Sequence, residues 1–262
     1  MKKVLGKKQR IDNQSWLDVV EHIEDYVSKK ELDLRIKETV KAIKEMTRGK
    51  KAAYGWSGGK DSLVLQMLCQ KAGIKECLLT VTNLEYPEFM KWIEANSPEG
   101  LTVINTGQDL KWLSEHEVML FPQESQTAAR WFHMVQHRGQ DRYYKEHKLD
   151  MMIVGRRRAD GNYVGKSGNI YTTAKGITRY SPLADWSHEE VLAVIHYYDI
   201  DLPPIYSWQN GFVCGTHPWP ARQWTGGIQE GWEEIYEIDP SLVKEASKYI
   251  ESAKQFLKQR KR

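Results

Sequence analysis

The sequence predicts an α/β fold in which a parallel sheet carries helices on both faces. Two observations predict it. From residue 51 to 155, short apolar runs alternate with helical patterns, and a glycine-rich turn joins the first run to the helix after it. The chain has 262 residues, 40% of them hydrophobic, enough for one large α/β domain with appendages. We divide it into a helical N-terminal prefix (1–49), a nucleotide-binding α/β domain (50–204) and a C-terminal extension, irregular and then helical (205–262).

The prefix reads as helix over 14–48. Ser15 is placed to cap a helix bearing Trp16, Val19, Val20, Ile23 and Tyr26 at helical spacing. A second run sets Leu32, Leu34, Ile36, Val40, Ile43 and Met46 on one side, and Gly49 supplies its stop. The first strand is Ala52–Trp56, followed by a turn and a helix with Leu63, Val64, Met67 and Leu68. Further strands are expected at Glu76–Thr82, Leu101–Ile104 and Asp150–Gly155. Helices lie between them at Glu88–Asn96 and around Trp131, Met134 and Val135. Right-handed crossovers then bring the strand C-terminal ends to one edge, where ligands bind in such sheets. Residues 159–182 are polar and glycine-containing, which predicts a long mobile loop. Ser187 and Glu190 have capping-box spacing ahead of Val191, Leu192, Val194, Ile195 and Tyr198, and Pro203-Pro204 ends that helix. Residues 205–232 read as irregular, and a last helix is expected over 241–257.

Composition narrows the setting. No apolar run approaches the ~18 residues of a membrane span, and no apolar segment follows the basic N-terminus as a secretory signal requires. Three cysteines, Cys69, Cys77 and Cys214, are too few for a disulfide framework or a four-cysteine metal site, so a cytoplasmic location is expected. The net charge is +3, with basic clusters at Lys2–Arg10 and Lys254–Arg262. Such ends are either solvated tails or contacts for a polyanion such as nucleic acid. His133 and His137 share a helix face, and Cys214 lies near His217. Each pair falls short of a metal site by itself.

The segment Ser57-Gly58-Gly59-Lys60-Asp61-Ser62 carries the chemistry. It stands where a strand ends and a helix begins, which presents unpaired backbone N–H groups and the positive end of the helix dipole. Gly58 and Gly59 let the backbone turn tightly against phosphate oxygens. Ser57 and Ser62 offer hydroxyls, Lys60 a charge, and Asp61 a ligand for Mg2+ or a helix cap. It is not a Walker loop, because Asp61 follows the lysine where Ser or Thr belongs. Gly161–Ser167 comes one residue short of that pattern and follows no clear strand.

Ser57–Ser62 after an apolar strand resembles the PP-loop of ATP pyrophosphatases, also called adenine nucleotide alpha hydrolase-like proteins. Leu84-Glu85-Tyr86-Pro87-Glu88, Gly155-Arg156-Arg157-Arg158 and Arg179–Ser187 with its Pro182-Leu183 and Asp185-Trp186 resemble blocks of the phosphoadenosine phosphosulfate (PAPS) reductase family. Together the resemblance covers roughly 50–220. It implies a nucleotide site of Trp56, Ser57, Gly58, Gly59, Lys60, Asp61, Ser62, Thr82, Gly155, Arg157 and Arg158. It implies catalytic roles for Lys60, Asp61 and Arg156, and second-substrate contacts at Glu85, Arg179 and Asp185. Adenine is expected near Tyr54, Trp56 and Thr80–Asn83.

The sequence departs from the family at three points. No cysteine follows Cys214, so the reductases' attacking thiol is missing unless Cys214 serves. Paired cluster-binding cysteines are absent, and Val81 replaces an acidic residue. The expectation is therefore an ATP-using enzyme, with Mg2+, that cleaves between the α and β phosphates to adenylylate a second substrate. A sulfonucleotide reductase or sulfur-transfer enzyme is one alternative. The nucleotide-binding component of a DNA- or RNA-modification complex, joined through the basic termini, is another. The expected partners are an adenine nucleotide, an unidentified second substrate, and either a second copy or a partner protein, with no membrane.

Overall fold

The computed structural model describes residues 1–6, 11–223 and 225–260; parts of both basic termini, at 7–10 and 261–262, lie outside the described residues. In chain order the prefix forms α1 (Asn13–Glu21), α2 (Ile23–Tyr26) and α3 (Lys29–Thr47). Then come β1 (Ala52–Gly55), α4 (Lys60–Ala72), β2 (Cys77–Val81), α5 (Pro87–Asn96), β3 (Leu101–Asn105), α6 (Leu110–Ser114), α7 (Ser125–Phe132) and α8 (Arg138–Glu146). After β4 (Met151–Ile153), β5 (Ile170–Thr172) and β6 (Thr178–Tyr180) follow α9 (His188–Tyr197), α10 (Gly211–Cys214), α11 (Ile228–Ile238), α12 (Pro240–Ala246) and α13 (Glu251–Arg260).

The strands form one sheet in the order β3-β2-β1-β4-β6-β5. β1 pairs in parallel with β2 and β4, and β4 with β6; only the edge pair β5–β6 among these is antiparallel. A strand covered on both faces has to be apolar throughout, and β4 reads Met-Met-Ile with every residue buried. This is the α/β fold the sequence predicts.

The chain divides into two compact units. Unit 1 comprises Met1–Leu79, Trp92–Val103 and Gln140–Gly215, and so holds the prefix and most of the sheet. Within it α3, α4 and α9 pack on one another. The prefix differs from expectation in two details. Asp12, not Ser15, caps α1: its carboxylate accepts from the Ser15 N–H at 2.8 Å. Along α3 the buried stripe is Leu32, Ile36, Thr39 and Ile43, and Leu34, two positions off that stripe, is exposed. The expected loop 159–182 contains β5 and β6. Each strand is three residues long and rich in Thr, Arg and Tyr, too short and polar to show a period in sequence. Backbone pairing with β4 makes them strands.

Unit 2 comprises Thr80–Lys91, Ile104–Gly139 and Thr216–Arg262. Its core joins Phe121, Trp219 and Trp232, with Phe121 edge-on to Trp232 at 5.0 Å. Gly231 permits this: a Cβ there would stand 2.2 Å from the Phe121 ring. The region expected to be irregular, 205–232, contains α10 and the start of α11. The expected last helix is split into α12 and α13, with Ile250 buried between them. Among the described residues, no helix is long and apolar enough to cross a membrane.

Candidate functional site

The loop after β1 is tied together by its own small side chains. The Ser57 N–H donates to Ser62 Oγ at 3.1 Å, and the Ser62 hydroxyl donates to the Gly59 carbonyl at 2.8 Å. Gly58 sits at φ +66°, a left-handed conformation that any side chain would strain. Gly59 is the N-cap of α4, and Lys60 begins the helix. The result is a tight turn at the positive end of a 13-residue helix, the arrangement that binds anions through backbone N–H groups.

Charge beneath the loop is organised around Asp61. Lys60 Nζ lies 2.7 Å from Asp61 Oδ2 and over the Trp16 ring at 5.4 Å. Arg157 Nε lies 2.8 Å from Asp61 Oδ1. Arg157, 0% exposed, also reaches Asp160 at 3.1 Å and donates to His188 Nδ1 at 3.0 Å. That bond leaves the ring proton of His188 on Nε2. Burial first, then the neighbouring Arg157 and Lys60 charges, push the His188 pKa down to about 3, so the imidazole is neutral.

Several of the expected site residues are engaged by other side chains. Lys60 is 2% exposed and bound to Asp61, so in this conformation its ammonium does not open to a ligand. Both Asp61 oxygens already face cations, and no group of three or more His, Cys, Asp or Glu side chains suited to a metal occurs among the described residues. Trp56 and Tyr54 are both buried. Trp56 donates to Gln66 Oε1 at 2.7 Å and stacks on Trp92.

The three consecutive arginines have separate fates. Arg157 is internal, as described. Arg156, half-buried, donates to the Tyr171 hydroxyl at 2.8 Å; burial first, and then Arg179, hold its guanidinium below the usual range. Arg158, 46% exposed, pairs with Asp185 and reaches Asn169 at 3.0 Å. Asp185 thus meets an arginine at the surface, and Ser187 caps α9 with the full capping box. Gly155 stands where a Cβ would be 3.4 Å from the Asp61 carbonyl oxygen, an ordinary contact. Arg179 is buried on β6 and donates to Asp141 at 2.9 Å. Thr82 and Glu85 belong to unit 2 and bind each other: the Glu85 carboxylate accepts from the Thr82 N–H at 2.7 Å and its hydroxyl at 2.9 Å. Burial raises the Glu85 pKa against those bonds.

Sequence reasoning missed Trp16, Asp160, His188 and Tyr206, which surround Lys60 and Arg157 in space. Trp16 reads as an ordinary helix-core residue and His188 as the first residue of a capped helix. Tyr206 merely follows a proline pair. Only the fold brings them to the loop.

Comparison with known proteins agrees with this architecture. The family described as phosphoadenosine phosphosulfate reductase domain matches residues 51–214, more than half of the chain. Two phosphoadenosine 5'-phosphosulfate reductases of Aliivibrio fischeri, strains MJ11 and ATCC 700601 / ES114, are 23% and 22% identical over 202 residues, spanning 71% of this chain and 74% of each relative. A phosphoadenylyl-sulfate reductase structure from Candida auris, in a phosphate complex, shares the fold at a TM-score of 0.50 and 15% identity. The match covers 69% of this chain and 92% of that one. The chain accordingly belongs to the phosphoadenosine phosphosulfate (PAPS) reductase domain family.

Proposed function

We propose that this protein is an enzyme that binds the phosphates of ATP on Ser57–Ser62. It breaks the bond between the α and β phosphates and passes the adenylyl group to a second substrate. An oxygen of that substrate attacks the α phosphorus, and pyrophosphate departs with the bonding electron pair. The observation that carries the reading is the loop itself, a Gly58 turn closed by two serine hydroxyls at the N-terminus of α4. Its backbone N–H groups suit the charge growing on departing pyrophosphate. Lys60 takes part once it exchanges Asp61 for a phosphate oxygen. Arg156, held by Tyr171, offers a guanidinium to an anionic second substrate.

The test is pyrophosphate release from ATP in the presence of magnesium salts and candidate acceptors. Lys60→Ala is expected to lower the rate about a hundredfold, the usual effect of removing one transition-state contact, and Asp61→Ala to lower it by removing the shared partner of Lys60 and Arg157. Full activity in both variants would sink the assignment.

A second reading, sulfonucleotide reduction, is favoured by the name of the Aliivibrio fischeri relatives. That chemistry needs a reactive thiolate. Cys69, Cys77 and Cys214 are all buried, and burial raises the pKa of Cys69 and Cys77, which opposes thiolate formation. Thioredoxin-dependent sulfite release from PAPS, measured beside ATP cleavage, separates the two readings.

A further inference from the structure

Helix α4 has no capping side chain of its own, because its N-cap is Gly59. The N–H groups of a helix's first turn need acceptors or stay available to an anion. One of them, the Lys60 N–H, donates to the Tyr206 hydroxyl at 2.8 Å, from a residue 146 positions away. Tyr206 is buried in the 3-10 turn Pro204–Ser207, whose start is fixed by Pro203-Pro204.

The ring of Tyr206 is tilted on Phe212 at 5.0 Å. Phe212 follows Gly211, where a Cβ would come within 2.1 Å of the Ile205 carbonyl oxygen, so the close approach requires glycine. Phe212 in turn stacks on Trp16 at 5.6 Å, and Trp16 meets His188 edge to face at 4.7 Å. His188 accepts from Arg157, and Arg157 faces Asp61. The contacts run from Lys60 through five side chains of four distant segments and close on Asp61, the next residue.

We propose that Tyr206 is a positioning residue for the phosphate loop. Its hydroxyl caps α4 from outside, and the Phe212–Trp16–His188 stack holds it in place. The Ser57 and Gly59 N–H groups already donate to Ser62 Oγ and Ser57 Oγ, and by engaging the Lys60 N–H Tyr206 decides which of the others, that of Gly58 foremost, are presented to phosphate. This role rests on the nucleotide reading above and extends it to residues outside the loop.

Tyr206→Phe tests it, because the ring and its packing are kept and only the hydroxyl is lost. Two measurements are made: amide hydrogen exchange without nucleotide, and ATP affinity by calorimetry. In the variant, exchange at Lys60 is expected to quicken about tenfold, as the loss of one buried hydrogen bond implies, while amides of Val64–Leu68 stay protected. ATP affinity is expected to fall about tenfold at a nearly unchanged melting temperature. Wild-type exchange at Lys60 overturns the proposal. Faster exchange with wild-type affinity also overturns it, since the hydroxyl then caps the helix without shaping the phosphate site. If the wild-type protein binds no ATP, the nucleotide reading falls and takes the positioning role with it, while faster exchange at Lys60 in the variant still shows that Tyr206 caps α4.

Discussion

His188 carries a stability consequence that follows from its surroundings. Its pKa falls from the ordinary 6.5 to about 3 through burial and the Arg157 and Lys60 charges. A depressed folded-state pKa means that the unfolded chain takes up a proton first as pH drops. The contribution is therefore fully present above about pH 6.5 and is lost progressively toward pH 3. His188→Gln retains an acceptor for Arg157 without that titration. Urea unfolding at pH 7 and pH 4.5 should show a smaller acid loss in His188→Gln than in wild type; equal losses would exclude His188 as the source. At this scale the sequence announced Lys60, Asp61 and the arginines by type and spacing. It could not announce their partners. Arg157 and Arg158 are neighbours in sequence, yet one is fully buried among Asp61, Asp160 and His188 and the other meets Asp185 at the surface.

The strand–turn–helix unit of β1, Ser57–Ser62 and α4 was legible because each part has a local cause. An apolar run makes the strand, Gly58 permits the turn, and Leu63, Val64 and Leu68 give the helix a buried face. The capping box of α9 was legible for the same reason: Ser187 and Glu190 meet within one turn. Ser187→Ala should cost about 1 kcal/mol, read as a lowered midpoint in denaturant with an unchanged slope. Elements whose cause is not local were misread. β5 and β6 exist through pairing across the sheet edge, and α1 is capped by Asp12 one turn ahead of the expected Ser15. Tyr206 as the external cap of α4 belongs to this class.

For the molecule as a whole, the prefix is part of unit 1. Trp16, Val19, Ile23 and Val27 are buried there, and Glu189 accepts from the Val4 and Leu5 N–H groups at 2.7 Å each. Trp16→Ala removes a fully buried ring and should lower stability by about 3–5 kcal/mol in equilibrium unfolding. A change below about 1 kcal/mol would mean that the prefix docks only weakly. By itself the sequence determined the fold class, the strand–turn–helix loop at Ser57–Ser62 and the family blocks, since alternating apolar runs, a Gly58 turn and fixed local spacings act over a few residues. Tertiary structure decided the rest: that Lys60 is covered by Trp16 and paired with Asp61, that Trp56 is buried against Gln66 and Trp92, and that Tyr206 reaches the loop. Those outcomes depend on contacts between segments separated by up to 146 residues, and no local pattern of charge or hydropathy encodes which distant surfaces will meet.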